Sequence, residues 1–131
     1  MLNAKDGFSS FSSNDLEAAH DFYGRLLGLD VAMTEMGLAI RRGSANVFVY
    51  PKENHEPATF TVLNLFVDSL EAAVDALAEA GVEMERYPGM EQDERGIARA
   101  MGGGPDICWF TDPAGNIIAL MEGDLPAWPA D

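Results

Sequence analysis

Cysteine, basic residues and long apolar runs are all scarce in this sequence of 131 residues. The single cysteine, Cys108, excludes an internal disulfide framework. Only 8 basic residues stand against 22 acidic ones, which excludes the basic surface that nucleic acids require. No apolar run approaches the roughly 20 residues of a membrane span, and no basic segment followed by an apolar one indicates a secretory signal. We therefore expect a cytoplasmic protein that binds neither nucleic acid nor membrane.

The acidic charge is distributed unevenly along the chain. Residues 1–57 carry 5 basic and 8 acidic residues, a net charge of −3, whereas residues 58–131 carry 3 basic and 14 acidic residues, a net charge of −11. Solubility alone explains a surplus of this kind. A preference for cationic ligands is the sharper alternative, because a charged cleft concentrates ligands of the opposite sign.

A short pattern occurs twice in the sequence. Residues 16–19 read Leu-Glu-Ala-Ala and are followed by Asp21, and the same pattern returns at residues 70–73 with Asp75. An extended stretch precedes each copy and an apolar, strand-like segment follows it. Because the surroundings match as well as the residues, we interpret the pattern as an internal duplication of a β-α-β unit.

Each copy carries signals for the two ends of a helix. Asn14 precedes Glu17 by three residues, and Asp68 precedes Glu71 by the same interval, so the sequence predicts two capping boxes with these residues as N-caps. Helices over residues 14–27 and 69–80 then end at Gly28 and Gly81, where a left-handed residue is needed.

Strand-like patterns in the rest of the sequence complete the fold prediction. Strands are predicted at residues 8–13, 29–34, 37–42, 45–50, 59–67, 82–87, 107–111 and 117–122. The order βαβββ, repeated once, predicts an α+β fold in which two tandem modules form curved mixed sheets around a shared cleft. Residues 1–50 and 59–124 are the modules, residues 51–58 the linker, and residues 125–131 a tail containing Trp128. Each repeat is too small to bury a core alone, so residues 1–131 are expected to form a single domain.

Two segments resemble motifs of a known family. Residues 15–29, Asp-Leu-Glu-x-x-x-Asp-Phe-Tyr-x-x-Leu-Leu-Gly-Leu, resemble the first-helix motif of the vicinal oxygen chelate superfamily. Residues 110–116, Phe-Thr-Asp-Pro-Ala-Gly-Asn, resemble its closing turn before the last strand. That superfamily includes glyoxalase I, extradiol dioxygenases and bleomycin-resistance proteins. The resemblance covers nearly the whole chain and implies the fold and a homodimer, but it does not specify a reaction.

The resemblance also implies four metal-ligand positions. In this sequence they are occupied by Phe8, Phe48, Val62 and Ala119, none of which offers the nitrogen, oxygen or sulfur donor that a divalent metal requires. Adjacent residues of a strand point to opposite faces of the sheet, so a neighbour of a ligand position points away from the metal site. Residues near these positions, such as Glu122, therefore do not replace the missing ligands. We therefore expect no metal, no cofactor and no catalytic residue.

Aromatic and small polar residues on the strands predicted to line the shared cleft, at residues 8–12, 47–50, 60–66 and 107–111, indicate a different kind of site. We call these the wall strands. The candidate ligand-binding residues are Phe8, Ser10, Phe48, Tyr50, Val62, Asn64, Trp109 and Ala119. Such a wall suits a flat or amphipathic small organic molecule. The structural alternative is that these side chains only fill the space between the sheets.

Two classes of function stay open at this point. The favoured hypothesis is a metal-free binding protein for sequestration or resistance; the alternative is a divalent-metal-dependent lyase, isomerase or dioxygenase. The ligand is expected to be cationic or neutral, because the wall strands carry no lysine or arginine and a buried anion would lack a partner. Arg41, Arg42 and Arg99 are the nearest strand-borne bases.

Other chemically active residues have simpler interpretations. His20 is expected to be exposed on the first helix, and His55 to lie in a surface loop, with a place at the rim of the pocket as the alternative. Cys108 is expected to be a small buried residue. The acidic loop at residues 88–96 lacks the spacing of a calcium loop, and the glycines at residues 102–104 lack the residues of a phosphate loop.

Overall fold

The computed structural model describes residues 1–99 and 103–125. In chain order, the elements are β1 (Ser9–Ser13), α1 (Leu16–His20), a π-helical segment (Asp21–Leu26), β2 (Asp30–Met33), β3 (Leu38–Arg42), β4 (Ala45–Pro51), β5 (Thr61–Val67), α2 (Leu70–Glu79), β6 (Ile107–Thr111) and β7 (Ile117–Glu122). They form one sheet of four strands and one of three, each with parallel and antiparallel pairs. The α+β class with two mixed sheets is thereby confirmed.

By their contacts, the residues fall into two compact units. The first unit comprises Met1–Pro57 together with Asp112–Gly115, and the second comprises Ala58–Thr111 and Asn116–Asp131. The turn between β6 and β7 thus belongs to the first unit although its flanking strands belong to the second. None of the helices in the described ranges is long and apolar enough to cross a membrane. Predictions for Gly102 and for residues 126–131, including Trp128, lie outside the described residues.

The four-stranded sheet, ordered β1-β4-β3-β2, carries the core of the first unit. Alternate side chains of its three adjoining strands are buried on one face: Phe11, Leu38, Ile40, Val47 and Val49. The register aligns these residues in rows, since Phe11 pairs with Val49 and Ile40 pairs with Val47. This face packs against the first helix, where the ring of Tyr23 lies 6.1 Å from that of Phe11. The other face carries the polar and aromatic residues of the same strands.

The first helix differs from the prediction in two ways. Its N-cap is Asp15, whose Oδ1 accepts the amide of Ala18 at 3.0 Å, so the predicted capping box at Asn14 and Glu17 is wrong by one residue. The helix also widens after its first turns. The amide of Leu27 donates to the carbonyl of Phe22, five residues earlier, and this winding buries the consecutive side chains of Phe22 and Tyr23. The stop at residue 28 is confirmed, since Gly28 has φ of 72°.

The second helix shows the same displacement of its cap. Ser69 accepts the amide of Ala72 at 3.2 Å, so the predicted box at Asp68 and Glu71 is wrong as well. The backbone amide of Leu70, in the first turn of the helix, donates to the carboxylate of Glu122 on β7 at 3.0 Å. The predicted end is confirmed, because Gly81 has φ of 85°.

The predicted strand at residues 82–87 does not form. The side chain of Gln92 takes the backbone groups that such a strand would use: its Oε1 accepts the amide of Tyr87 at 3.0 Å, and its Nε2 donates to the carbonyls of Glu85 and Gly96 at 3.0 and 2.7 Å. The amide of Glu85 still donates to the carbonyl of Trp109 on β6 at 2.7 Å, but with its own carbonyl taken by Gln92 the segment does not extend this bond into a ladder. The described residues of the second unit therefore form a three-stranded sheet, ordered β5-β7-β6.

Candidate functional site

Four of the predicted ligand-binding residues lie on the first sheet, on the face opposite the helix. Ser10 pairs with Phe48 across β1 and β4, and Ser12 pairs with Tyr50. Side chains of paired residues point to the same side, so these strands present serine and aromatic side chains together. Tyr50 is 41% exposed and Phe8, which precedes β1, is 67% exposed. Two large aromatic side chains are thus open to solvent on one face.

The rings of Phe8 and Phe48 form a pair. Their centroids lie 6.2 Å apart with an interplanar angle of 67°, an edge-to-face geometry that aromatic rings favour. The tip of the Phe48 ring lies so near Gly37 that a Cβ added there would come within 2.9 Å of it. A glycine at residue 37 therefore leaves room for the Phe48 ring, while Phe8 covers its other part.

The other four predicted residues lie on the second sheet. Asn64, Ala119 and Trp109 form one row across β5, β7 and β6. Asn64 is exposed and Trp109 is half-buried, whereas Ala119 has no exposed surface. Val62 lies at an irregularity in β5, because Thr61 and Leu63 pair with consecutive residues of β7. The assignment of all eight residues to a ligand site stays a prediction.

An aromatic residue outside the predicted set joins this row. The ring of Tyr87 lies 5.4 Å from that of Trp109 at 73°. Burial, and then the nearby carboxylate of Glu85, raise the pKa of Tyr87 above its usual value, so its hydroxyl stays a donor at neutral pH. Sequence analysis missed Tyr87 because it assigned residues 82–87 to a regular strand.

The four family metal-ligand positions contain no donor side chain. Phe8 and Phe48 form the aromatic pair of the first unit, and Val62 and Ala119 lie on the second sheet. Elsewhere in residues 1–99 and 103–125, no group of three or more histidine, cysteine or acidic side chains is placed to hold a metal ion. The residues present therefore do not fit the metal site of the superfamily.

Five residues of the first unit are linked by hydrogen bonds into what we call the polar chain: Ser12, His55, Ala114, Asp112 and Tyr23. Ser12 Oγ lies 2.6 Å from His55 Nδ1, and His55 Nε2 lies 3.1 Å from the carbonyl oxygen of Ala114. A carbonyl can only accept, so Nε2 of the neutral imidazole carries the hydrogen and Nδ1 accepts from the serine hydroxyl. His55 is half-buried and uses both ring nitrogens.

The far end of the polar chain lies in the core. The hydroxyl of Tyr23 donates to Asp112 Oδ2 at 2.6 Å, and Asp112 Oδ1 accepts the amide of Ala114 at 2.9 Å. Tyr23 has no exposed surface and Asp112 is 4% exposed. Burial, and then the charge and hydrogen bond of Asp112, raise the pKa of Tyr23 far above its usual range, so the phenol stays protonated. The backbone of Ala114 is thus held at both its amide and its carbonyl.

Sequence analysis recognised the residues of the polar chain but not their contacts. It placed Tyr23 in the first-helix motif, Asp112 in the closing turn and His55 in a surface loop. The partners of His55 are 43 and 59 residues away in sequence, and Tyr23 and Asp112 are 89 apart. No local pattern indicates such pairs. The expectation for Cys108 is confirmed, since it is a buried free cysteine.

The three basic residues of the second half are all engaged. Arg86 donates to the carbonyl of Glu94, and Arg95 pairs with Asp75 at 3.0 Å. Arg99 is shared among three carboxylates, those of Glu71, Asp93 and Asp106, at 2.9 to 3.1 Å. Its hydrogen bonds to Asp106, Glu71 and Asp93 raise the pKa of Arg99. These carboxylates therefore hold the guanidinium group of Arg99 at the surface beside α2.

A family model matches most of the chain. The model of the glyoxalase/bleomycin resistance protein/dioxygenase superfamily matches residues 10–120. No curated protein sequence matches the chain significantly.

Solved structures share the fold at low sequence identity. A glyoxalase family protein from Bacillus anthracis is 19% identical, with a TM-score of 0.68 over 95% of this chain and 100% of its own. The fosfomycin resistance protein FosX from Listeria monocytogenes is 12% identical, with a TM-score of 0.70 over 95% and 97%. Lactoylglutathione lyase from Agrobacterium tumefaciens is 16% identical, with a TM-score of 0.64 over 92% and 96%. At these identities the similarity shows the fold alone.

Proposed function

We propose that this chain, which belongs to the glyoxalase/bleomycin resistance protein/dioxygenase superfamily, is a metal-free binding protein for a small organic molecule. Its role would be sequestration or resistance. One structure with the same fold is a fosfomycin resistance protein, although that function belongs to that protein. The ligand would contact the face of the first sheet beside Phe8, Ser10, Phe48 and Tyr50. Val62, Asn64, Trp109 and Ala119 of the second unit stay predicted ligand-binding residues.

The observation that carries this proposal is the aromatic pair at two metal-ligand positions. Where metal-dependent relatives need donors, this chain has Phe8 and Phe48 in edge-to-face contact, with Phe8 67% exposed. An exposed ring fixed against a second ring offers a preformed surface for a flat molecule. Serine hydroxyls on the same face supply hydrogen bonds without a charge.

The charges support a cationic or neutral ligand. All three arginines of residues 58–131 already donate to carboxylate or carbonyl oxygens. In the first unit, Arg41 is exposed on the face of Phe48 and stands opposite the acidic Asp30 in register, which offsets part of its charge. An anion bound on these faces would leave its charge poorly compensated, at a cost on the order of several kcal/mol.

A thermal-shift screen tests the proposal. Matched cationic, neutral and anionic aromatic compounds are compared, and the first two sets are expected to stabilise the protein. Phe8→Ala should weaken binding of the best compound roughly two- to thirteenfold, because it removes about 0.5–1.5 kcal/mol of ring contact. Phe60→Ala is the matched control, since Phe60 is also 67% exposed and lies outside the predicted set. Stabilisation confined to anions and abolished by Arg41→Ala would contradict the charge preference.

Metal analysis separates this proposal from the alternative of a metal-dependent lyase, isomerase or dioxygenase. Protein purified without a histidine tag is expected to contain far less than one divalent ion per chain. A stoichiometric ion that survives gel filtration would contradict the metal-free proposal.

We also propose that the protein is a homodimer, as its superfamily membership suggests. Light scattering at micromolar concentration should then report about twice the chain mass of 14.1 kDa. A mass of a single chain under these conditions would contradict it.

A further inference from the structure

Ser12 and His55 have the geometry of a nucleophile and its base. Ser12 Oγ lies 2.6 Å from His55 Nδ1, within the range in which a base activates a hydroxyl. The opposite nitrogen, Nε2, is fixed by the carbonyl of Ala114 at 3.1 Å. A nucleophile bonded to a base, and a base held by a third group, is the arrangement that catalytic triads share, whatever the order of residues along the chain.

The third group is itself held rigidly. The amide of Ala114 donates to Asp112, and Asp112 accepts the hydroxyl of Tyr23. The imidazole is therefore positioned from the core of the unit through the polar chain. Such support from a second layer of contacts is what a precise site requires.

Ser12 lies beside an exposed aromatic residue. It retains 8% of its surface exposed, and its β4 partner Tyr50 is 41% exposed. Catalytic serines combine limited exposure with a position beside an open surface. The surface beside Ser12 is aromatic, with Phe48 two residues from Tyr50 on the same strand face.

We infer that Ser12 is a nucleophile activated by His55, able to take an acyl group from a small, uncharged aryl ester. The hydroxyl oxygen attacks the ester carbonyl while its proton moves to His55 Nδ1. The bond to the aryl oxygen then breaks, and His55 returns the proton to the departing phenolate. Water next attacks the acyl-serine and gives a proton to His55, which restores the hydroxyl and releases the acid. The ester supplies both the acyl group and the leaving group, so no other reactant is needed.

A neutral alkyl fluorophosphonate tests the nucleophile directly. Its phosphorus is attacked by Ser12 Oγ, the P–F bond breaks and fluoride leaves. Intact mass and peptide mapping of the full chain should show one label, at Ser12. Ser12→Ala should abolish it. Ser9→Ala is the control, because Ser9 is an exposed serine of the same strand outside the candidate site.

The histidine variants separate catalysis from a structural bridge. His55→Gln keeps an N–H donor for the Ala114 carbonyl but removes the base, so labelling should slow by at least about 100-fold. His20→Ala, which changes the other histidine of the chain, should leave the rate unchanged. Circular dichroism and the unfolding midpoint establish that each variant is folded.

The same variants are compared with 4-nitrophenyl acetate as the ester. Release of 4-nitrophenol above the Ser12→Ala background, lost in His55→Gln, agrees with the inference. Two outcomes overturn it: labelling of Ser12 no faster than that of Ser9, or labelling that is undiminished in folded His55→Gln. Neither outcome affects the thermal-shift screen. Failure of the inference that Ser12 is a nucleophile can therefore be distinguished from failure of the proposed binding function.

Discussion

The hydrogen bond between Tyr23 and Asp112 is expected to contribute strongly to stability. Tyr23→Phe removes the hydroxyl and leaves the ring, which still packs against Phe11 and Phe22 at 6.1 and 5.3 Å. The change therefore isolates one hydrogen bond. Asp112, 4% exposed, then loses the donor to Oδ2 but keeps the amide of Ala114 on Oδ1.

The magnitude follows from the burial of both groups. A hydrogen bond to a charged group contributes about 1.5–3 kcal/mol, and removing one partner also costs part of the desolvation of the other. We expect Tyr23→Phe to lower the free energy of unfolding by about 2–3 kcal/mol. Urea denaturation followed by circular dichroism measures this loss as a lower midpoint with an unchanged slope.

A second tyrosine variant controls for the loss of a hydroxyl group that is not buried. Tyr50→Phe removes a hydroxyl from a residue that is 41% exposed, and its effect should stay within about 0.5 kcal/mol. If Tyr23→Phe also costs less than 0.5 kcal/mol, the buried pair does not hold the turn and the reasoning is refuted.

The same pair predicts a loss of stability in alkaline solution. Burial, followed by the charge of Asp112, raises the pKa of Tyr23 above its value of about 10 in the unfolded chain. Above pH 10 the unfolded chain therefore releases a proton that the folded chain retains. Stability is fully present below pH 10 and falls as pH rises further. Tyr23→Phe should show a shallower decline between pH 10 and 11, measured by the same urea titration.

Three further predictions follow from other parts of the structure. Ser69→Ala should destabilise the protein by about 1 kcal/mol because Ser69 is the observed cap of α2, whereas Asp68→Ala should change the unfolding midpoint little; equal effects would contradict the cap assignment. Cys108, whose pKa burial raises to about 11, should react with a thiol reagent only once the chain is unfolded, and rapid labelling of native protein would refute its placement. In the Trp128→Phe variant, caesium should quench the fluorescence of Trp109 about twofold more than iodide does, once both are corrected against free tryptophan. The reason is the strongly acidic second half of the chain, which attracts the cation. Stronger quenching by iodide would contradict the predicted negative potential.

The sequence predicted those elements whose signals are local. Gly28 and Gly81 end their helices as expected, because a left-handed residue is needed at one position and glycine adopts it freely. The caps were missed by one residue because Asn14 and Asp15, like Asp68 and Ser69, are adjacent residues with similar capping ability. Local preference cannot choose between such neighbours.

Features that depend on distant residues were not predictable. Residues 82–87 alternate as a strand should, but Gln92 from the following loop takes their backbone groups. The candidate wall follows from alternation within each strand, whereas the contacts of His55 depend on residues 43 and 59 positions away. Only the folded chain brings these groups together.

The turn Asp112–Gly115 makes the first unit depend on a segment from the second half of the chain. It is encoded by the second repeat but belongs to the first unit, where it accepts hydrogen bonds from Tyr23 and His55. A gene fragment ending after Pro57 would therefore encode an incomplete unit, with a buried phenol and an imidazole lacking their acceptors. Fission of the gene between the repeats would be tolerated only if the second fragment restored the turn in trans. The dependence runs in one direction, because it is the first unit that needs residues 112–115 to complete its buried hydrogen bonds.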